Sequence, residues 1–381
     1  MSTKLYIPKP DFDSTITKCV VELQTFRNRP IIGTTKPWLF FELKNIFHTI
    51  ESIASARIEG NHTTVASFVE AVREDDGAKN PAEEIQEIIN LENGIRFIEK
   101  QTKGFRIDRG FILQLHRITV EGLVKEGDKR SGAYRIEPRY ISGSSHVPPP
   151  ASDVNDLMNE LIEFINSSVE SHFDLLKDAV AHHRFTWIHP FGNGNGRVVR
   201  LLTYAMLTQQ GFIDAEGRRL LNSTALFGSN RKGYYSMLAD ADKGTKDGLL
   251  LWSEYMLQGL KTEADNVTRL LDEEFTRDRI VVPALEYALD KKRINPLEFG
   301  MLGIANKKGV VQASDFRDLF PKDVSHVNIS KAIRKLREQG LIRPVVGGSR
   351  RYTLRLNRNA LTLGIVMQLD QNNFLPMQVD A

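Results

Sequence analysis

His189-Pro190-Phe191-Gly192-Asn193-Gly194-Asn195-Gly196-Arg197-Val198-Val199-Arg200 constrains this chain more than any other segment. Proline lacks an amide hydrogen and disfavours helix in the residue before it, so a helix arriving at His189 stops there. The Gly/Asn run predicts a tight turn, and a second helix leaves it over 196–210. A turn that opens a helix offers backbone N–H groups to an anion. Arg197 and Arg200, one helical turn apart, add fixed positive charge and forked donors. His189 can take up a proton near neutral pH. Taken singly, His-Pro is an ordinary helix-ending turn and Gly-Asn-Gly an ordinary loop. The arginines argue against a purely structural loop, because cations sit poorly at the positive end of a helix without an anion partner. A base, an anion cradle and two charge clamps together point to phosphate-transfer chemistry.

The chain has 381 residues, 41% of them apolar, enough for two or three domains with real cores. No apolar run is long enough to span a membrane. The N-terminus lacks the basic-then-apolar pattern of a signal peptide, so a soluble cytoplasmic protein is expected. Cys19 is the single cysteine, which rules out an internal disulfide or a Cys-based metal site. It reads as a small buried apolar residue rather than a nucleophile. Net charge is +3, but 291–358 holds 16 Lys/Arg against 5 Asp/Glu, leaving the rest of the chain at −8. That asymmetry predicts an acidic body with a basic C-terminal module.

Most of the chain has helical periodicity. Leu43, Ile46, Phe47, Ile50, Ile53 and Ala54 form one stripe over 40–59, and 81–100 carries another. Asp108 is a candidate cap for a third helix. The rhythm breaks at 135–147, where Pro138, Gly143 and paired serines before Pro148-Pro149-Pro150 fit a short β-hairpin or a plain surface loop. Near the C-terminus, three short helices and two strand-like runs flanking Gly347-Gly348 resemble a winged helix-turn-helix. The expected fold is therefore mainly α with a short β-hairpin flap and a C-terminal winged helix-turn-helix domain. The expected divisions are an N-terminal helical region (1–105), a central catalytic domain (106–265), a connecting helix (266–290), the winged module (291–357) and a tail (358–381).

The 189–200 string resembles the signature of the Fic-domain family, His-x-Phe-x-(Asp/Glu)-Gly-Asn-Gly-Arg-x-x-Arg. The likeness extends from about Phe111 to Ala264, through Gly132-Ala133-Tyr134-Arg135, His146-Val147-Pro148-Pro149 and Lys232-Gly233-Tyr234-Tyr235. Family members typically transfer AMP from ATP to a protein hydroxyl. The resemblance implies His189 as general base, with Phe191 packing as an anchor. It implies a cradle of Gly194, Asn195 and Gly196, in which the glycines reach positive φ and the Asn195 amide faces the α-phosphate. By the same analogy Arg200 holds the γ-phosphate, Arg197 helps hold the polyphosphate, and Tyr234 and Tyr235 line an adenine pocket, the alternative for one of the two being to fill core. Arg139, Tyr140, Ile141 and Ser142 would form the flap that docks a target by strand addition. Asn193 departs from the family's Asp/Glu. Its neutral carbonyl is a weaker Mg²⁺ ligand than a carboxylate, so Mg²⁺ is expected to bind chiefly through ATP phosphates and water.

Ser55-Ala56-Arg57-Ile58-Glu59-Gly60 resembles the family's inhibitory motif, (Ser/Thr)-x-x-x-Glu-(Gly/Asn). Ser55 and Glu59 share a helix face, and Gly60 is a natural helix stop. With Glu59 as its partner, Arg200 could not grip a γ-phosphate. Alternatively Glu59 is an ordinary solvated glutamate, or it aligns water for removal of AMP. The competing function is a DNA-binding regulator, with Lys331, Arg334, Lys335 and Arg337 on the recognition helix and Arg350 and Arg351 on the wing. Such a module could equally bind a protein. A different cargo, another nucleotide or phosphocholine, is a third reading. Expected partners are target proteins with an acceptor hydroxyl and no membrane, and a homodimer stays open.

Overall fold

Apolar residues at three- and four-residue spacing become fourteen α-helices of nine residues or more among the described residues. The computed structural model describes the chain apart from residues 1–4, 29–32, 75–80, 103, 142, 214–220, 222, 223, 225, 226, 229, 324 and 376–381, and apart from the side chains of 73 and 74. In chain order they are α1 (Thr15–Asn28), α2 (Pro37–Ile58), α3 (Val65–Glu74), α4 (Glu83–Glu99), α5 (Arg109–Val120), α6 (Val154–Asn166) and α7 (Asp174–Ile188). There follow α8 (Asn195–Gln209), α9 (Arg231–Ala241), α10 (Lys246–Arg269), α11 (Val282–Asp290), α12 (Pro296–Lys308), α13 (His326–Glu338) and α14 (Thr362–Gln371). None of the described helices is long and apolar enough to cross a membrane.

The chain divides into two compact units. The first comprises Met1–Pro30, Glu51–Thr63 and Pro81–Asp265. Its centre is α4 to α8, with α7 and α8 packed together on either side of the 189–194 turn. Asp108 caps α5 by accepting from the Phe111 amide at 2.8 Å. Gly94 lets α4 approach α8, since a Cβ there would lie 2.6 Å from Leu201 Cδ1. Trp252 on α10 is fully buried and donates its indole N–H to the Ala179 carbonyl at 2.7 Å. Burying an indole contributes roughly 4–6 kcal/mol before entropy is counted. Cys19 is buried, as an apolar residue would be.

Residues 135–147 contain no strand among the described positions. Pro138 has no N–H to give a ladder, and the Arg135 amide donates to Pro190 O at 2.8 Å instead of to a strand across the turn. The segment is an extended loop, turning where Ser144 N donates to Ile141 O. Ser142 lies outside the described residues.

The second unit comprises Ile31–Ile50, Thr64–Asn80 and Asn266–Ala381. The continuous helix expected over 266–290 is broken after α10. Asp272 caps a new start by accepting from Phe275 N, and Thr276 Oγ1 donates to Leu270 O. α12 begins with a reciprocal capping box between Asn295 and Glu298. A 3-10 turn follows at Ala313–Leu319, then α13, which buries Ile329, Ile333 and Leu336. Strands β1 (Ile342–Pro344) and β2 (Tyr352–Leu354) pair antiparallel with Ile342 opposite Leu354. The expected tail contains a packed helix, because α14 buries Leu363, Ile365, Val366 and Leu369. It meets α11 closely, where a Cβ on Gly364 would lie 2.9 Å from Ala284 O.

Candidate active site

The turn between α7 and α8 is held from several sides. His189 ends α7 in the left-handed region (φ 50°, ψ 62°), with its amide still bonded to Phe185 O. Arg135 is buried and donates its Nε to His189 O at 2.8 Å and its Nη2 to Pro149 O and Ile188 O. The His146 ring bonds Trp187 O at 2.8 Å. Phe191 is fully buried and stacks on His116, ring centres 3.8 Å apart and planes 6° from parallel. His116 Nδ1 accepts from Gly132 N at 3.0 Å, so the hydrogen is on Nε2, which donates to Asn193 O at 3.2 Å. Burial pushes His116 down to about 4 despite the nearby Asp128 carboxylate, which keeps the ring neutral at pH 7. Asp128 accepts from Asn193 N at 3.1 Å and from Arg130 N at 2.8 Å.

The motif residues divide into those that shape the turn and those that face it. The Asn195 side chain shapes it, since Oδ1 accepts from Phe191 N at 2.9 Å and Nδ2 donates to Phe191 O at 3.0 Å. Its oxygen and one of its two amide hydrogens are engaged there. Gly194 adopts φ 78° as expected, but Gly196 lies inside α8 with no positive φ. Gly196 leaves room for the Glu59 carboxylate, since a Cβ there would fall 2.1 Å from Glu59 Oε1 and push that side chain aside. Asn193 Oδ1 turns back to accept from Gly194 N at 2.7 Å. Arg139 reaches the turn, where a Cβ on Gly192 would lie 3.0 Å from its Nη2. Tyr140 is exposed and Ile141 half-buried.

The arginines part company although both are buried. Arg197 Nη1 donates to Glu87 Oε1 at 2.8 Å and Nη2 to Glu126 O at 2.9 Å, partners that Arg200 does not share. Glu87 also accepts from Asn61 Nδ2 at 2.8 Å, two residues beyond Glu59. Arg200 Nε donates to Ser55 Oγ at 2.8 Å, and Nη2 to Ser55 O and to Glu59 Oε1 at 2.9 and 2.7 Å. Arg200 Nη1 has no hydrogen-bond partner among the described residues. Burial alone would raise the Glu59 carboxyl, but Arg200 and then Arg197 outweigh it and hold the group below the usual carboxylate range. Gly60 follows with φ 105°. A carboxylate thus lies against the first turn of α8, where a helix presents unpaired amides and the positive end of its dipole.

Burial pushes His189 down to about 4, against the Thr186 carbonyl and the Glu59 carboxylate, which favour the protonated ring. The ring is therefore neutral and able to accept a proton at pH 7. Tyr234 is buried and bonds His182 Nε2 at 2.9 Å. Thr203 spends its hydroxyl hydrogen on Val199 O, so His182 Nδ1–H donates to Thr203 and Tyr234 donates to Nε2. Tyr234 belongs to this internal network, whereas Tyr235 is 42% exposed beside Arg231, which sits 5.7 Å from its ring centre.

The pattern that defines the Fic/DOC family matches residues 106–207. This segment is a Fic domain. The chain is 32% identical over 176 residues to Protein adenylyltransferase Fic of Aedes aegypti, covering 45% of this chain and 33% of that protein. It is 29% identical over 140 residues to a probable protein adenylyltransferase of Aquifex aeolicus, covering 36% and 38%. The chain spans about a third of the length of these curated relatives. Among solved structures, a Fic family protein from Desulfovibrio desulfuricans G20 matches 92% of this chain and 98% of its own, with a TM-score of 0.55 and 22% identity. A Fic domain containing signaling protein from Bacteroides thetaiotaomicron matches 68% and 97%, with a TM-score of 0.52 and 18% identity. Those likenesses bear on the fold alone.

Sequence reasoning missed several residues that build the Fic turn. On local pattern alone His116 is one more position on the helix that Asp108 caps. Asp128 and Glu87 stand outside any recognisable spacing, and Asn61 sits one residue beyond the 55–60 motif. Arg135 lay within the Gly132-Ala133-Tyr134-Arg135 segment, so its position carried a signal although its role as a buried staple did not.

Proposed function

We propose that the Fic domain transfers AMP from ATP to a hydroxyl of a protein target, itself included, and that Glu59 restrains the reaction. The observation that carries this reading is the Glu59 carboxylate against Gly196, bonded to Arg200 at 2.7 Å. A carboxylate there occupies a site suited to a phosphate. A triphosphate entering the cradle would take over Arg200, including its unspent Nη1 donor.

In the reaction, the acceptor oxygen forms a bond to the α-phosphorus. The bond from that phosphorus to the bridging oxygen breaks, pyrophosphate leaves, and the hydroxyl proton passes to His189. Removing that proton during attack is what makes an alcohol a competent nucleophile. The nearby phosphate charge would raise the His189 pKa from its low resting value toward the range where a base works best. Arg139 and the extended backbone at 139–141 would hold the target by strand addition. The role of Arg197 is to fix the start of α8 through Glu87, and Tyr235 is the tyrosine exposed enough to meet a ligand. The described residues hold no cluster of three metal-ligating side chains. Asn193 offers one neutral oxygen, which fits a Mg²⁺ ion carried in on ATP phosphates rather than one held by the protein alone.

The test is label transfer. Purified protein incubated with α-³²P-ATP is expected to acquire covalent label, γ-³²P-ATP to give none, and His189→Ala to abolish the α-label while the protein stays folded. Label from the γ position would overturn the reading in favour of a kinase-like reaction, and full labelling of His189→Ala would remove the base.

A further inference from the structure

The chemistry of the Fic domain makes no use of the basic surface in the second unit. The charge surplus over 291–358 is +11, while the remainder of the chain is negative. The structure shows how that charge is displayed. Helix α13 turns Ile329, Ile333 and Leu336 inward, leaving Lys331 and Arg334 exposed on the opposite side and Asn328 and Ser330 exposed on its two flanks. Its first turn carries no acidic residue. The β1–β2 hairpin lies beside it, tied by Arg337, whose guanidinium sits 5.8 Å from the Tyr352 ring centre. The hairpin tip at 345–348 and Arg350 are exposed.

The structure also narrows the set of candidate contacts. Lys335 is bonded to the Glu298 carboxylate at 2.9 Å, and Arg337 packs on Tyr352. Arg334 has only a 3.5 Å exposed pairing with Glu338, of the kind that contributes little and is easily exchanged. Lys331 and Arg350 have no ion-pair partner among the described residues. The available cations are therefore on the outer side of α13 and at the hairpin.

We propose that this face binds double-stranded DNA, with α13 in the major groove and the hairpin tip on the adjacent backbone. The major groove, about 12 Å wide, admits one α-helix with its side chains. Lys331, Arg334 and Arg350 would meet phosphates. Asn328 and Ser330, neutral donors and acceptors nearer the start of α13, would reach base edges. An acidic protein would be served by the cations alone and would gain little from this amide and hydroxyl. This proposal is independent of AMP transfer.

The experiment is fluorescence anisotropy of the full chain with a labelled random-sequence duplex, titrated from 50 to 200 mM salt. Three phosphate contacts predict roughly a 40-fold loss of affinity over that range. Lys331→Glu and Arg350→Glu are each expected to weaken binding about tenfold and to lower the salt slope by about one. Both variants should keep wild-type AMP transfer and melting temperature, which shows that they are folded. Selection from a random duplex library is expected to enrich one sequence, and Asn328→Ala to lose that enrichment. No binding at 50 mM salt, indifference of affinity to both charge reversals, or equally tight binding of polyglutamate would overturn the proposal, the last by assigning the face to an acidic protein.

Discussion

Replacing Glu59 by glycine removes the carboxylate that holds Arg200 and leaves a guanidinium that is 1% exposed. Taking away one partner of a fully buried ion pair costs about 3–5 kcal/mol. The cost here is smaller for two reasons. Arg200 keeps its bonds to Ser55 Oγ and Ser55 O, and the Glu59 side chain is 28% exposed, so water already screens the pair. A loss of about 2 kcal/mol follows, a melting temperature lower by roughly 4–8 °C for a unit of this size. The same 2 kcal/mol no longer opposes the γ-phosphate, so AMP transfer at subsaturating ATP should rise by about 30-fold. The two changes are linked, and ATP should raise the melting temperature of Glu59→Gly more than that of the wild type. Glu59→Gln, which keeps the hydrogen bond and loses the charge, should fall between them. Thermal melts with and without ATP, run beside α-³²P labelling, measure all of this. If Glu59→Gly melts and labels as the wild type does, the pair neither stabilises nor restrains the protein, and the reasoning fails.

Asn195→Ala deletes both bonds that clamp Phe191 and should cost about 2 kcal/mol, read by denaturant melts, with a loss of labelling of at least tenfold. Asn61→Ala frees the segment after Glu59 from Glu87 and should raise labelling severalfold. In a Glu59→Gly background it should add nothing, and an increase there would show that Asn61 acts elsewhere. Stability should fall with acidification. His116 and His189 bind protons in the unfolded chain near 6.5 but in the native protein only near 4, so the unfolded state holds more protons between those values. Stability is full above pH 6.5 and declines as pH falls toward 4. Urea melts from pH 7 to 4.5 that show no decline would refute the burial of both rings in neutral form.

The sequence by itself determined the helices, the break at His189-Pro190 and the residue types gathered around the turn. These follow from local rules: apolar spacing sets the helix face, proline ends a helix, and glycine permits φ 78° at Gly194. The motif at 55–60 was equally legible, because Ser55 and Glu59 four residues apart must share a face whatever they pack against. What each motif side chain bonds to was decided by tertiary structure. Asn195 and Arg197 belong to the motif in sequence, yet one clamps Phe191 and the other is held by Glu87, 110 positions away. Gly196 gives the Glu59 carboxylate room beside α8, an approach that no local pattern announces. The loop at 135–147 looked strand-like, but Arg135 gives its amide to Pro190. Periodicity reports which face of an element is apolar, whereas the partner of a buried charge depends on which distant segment packs against it. A chain can announce a phosphate cradle through its local pattern, while only the assembled fold decides which anion fills it at rest.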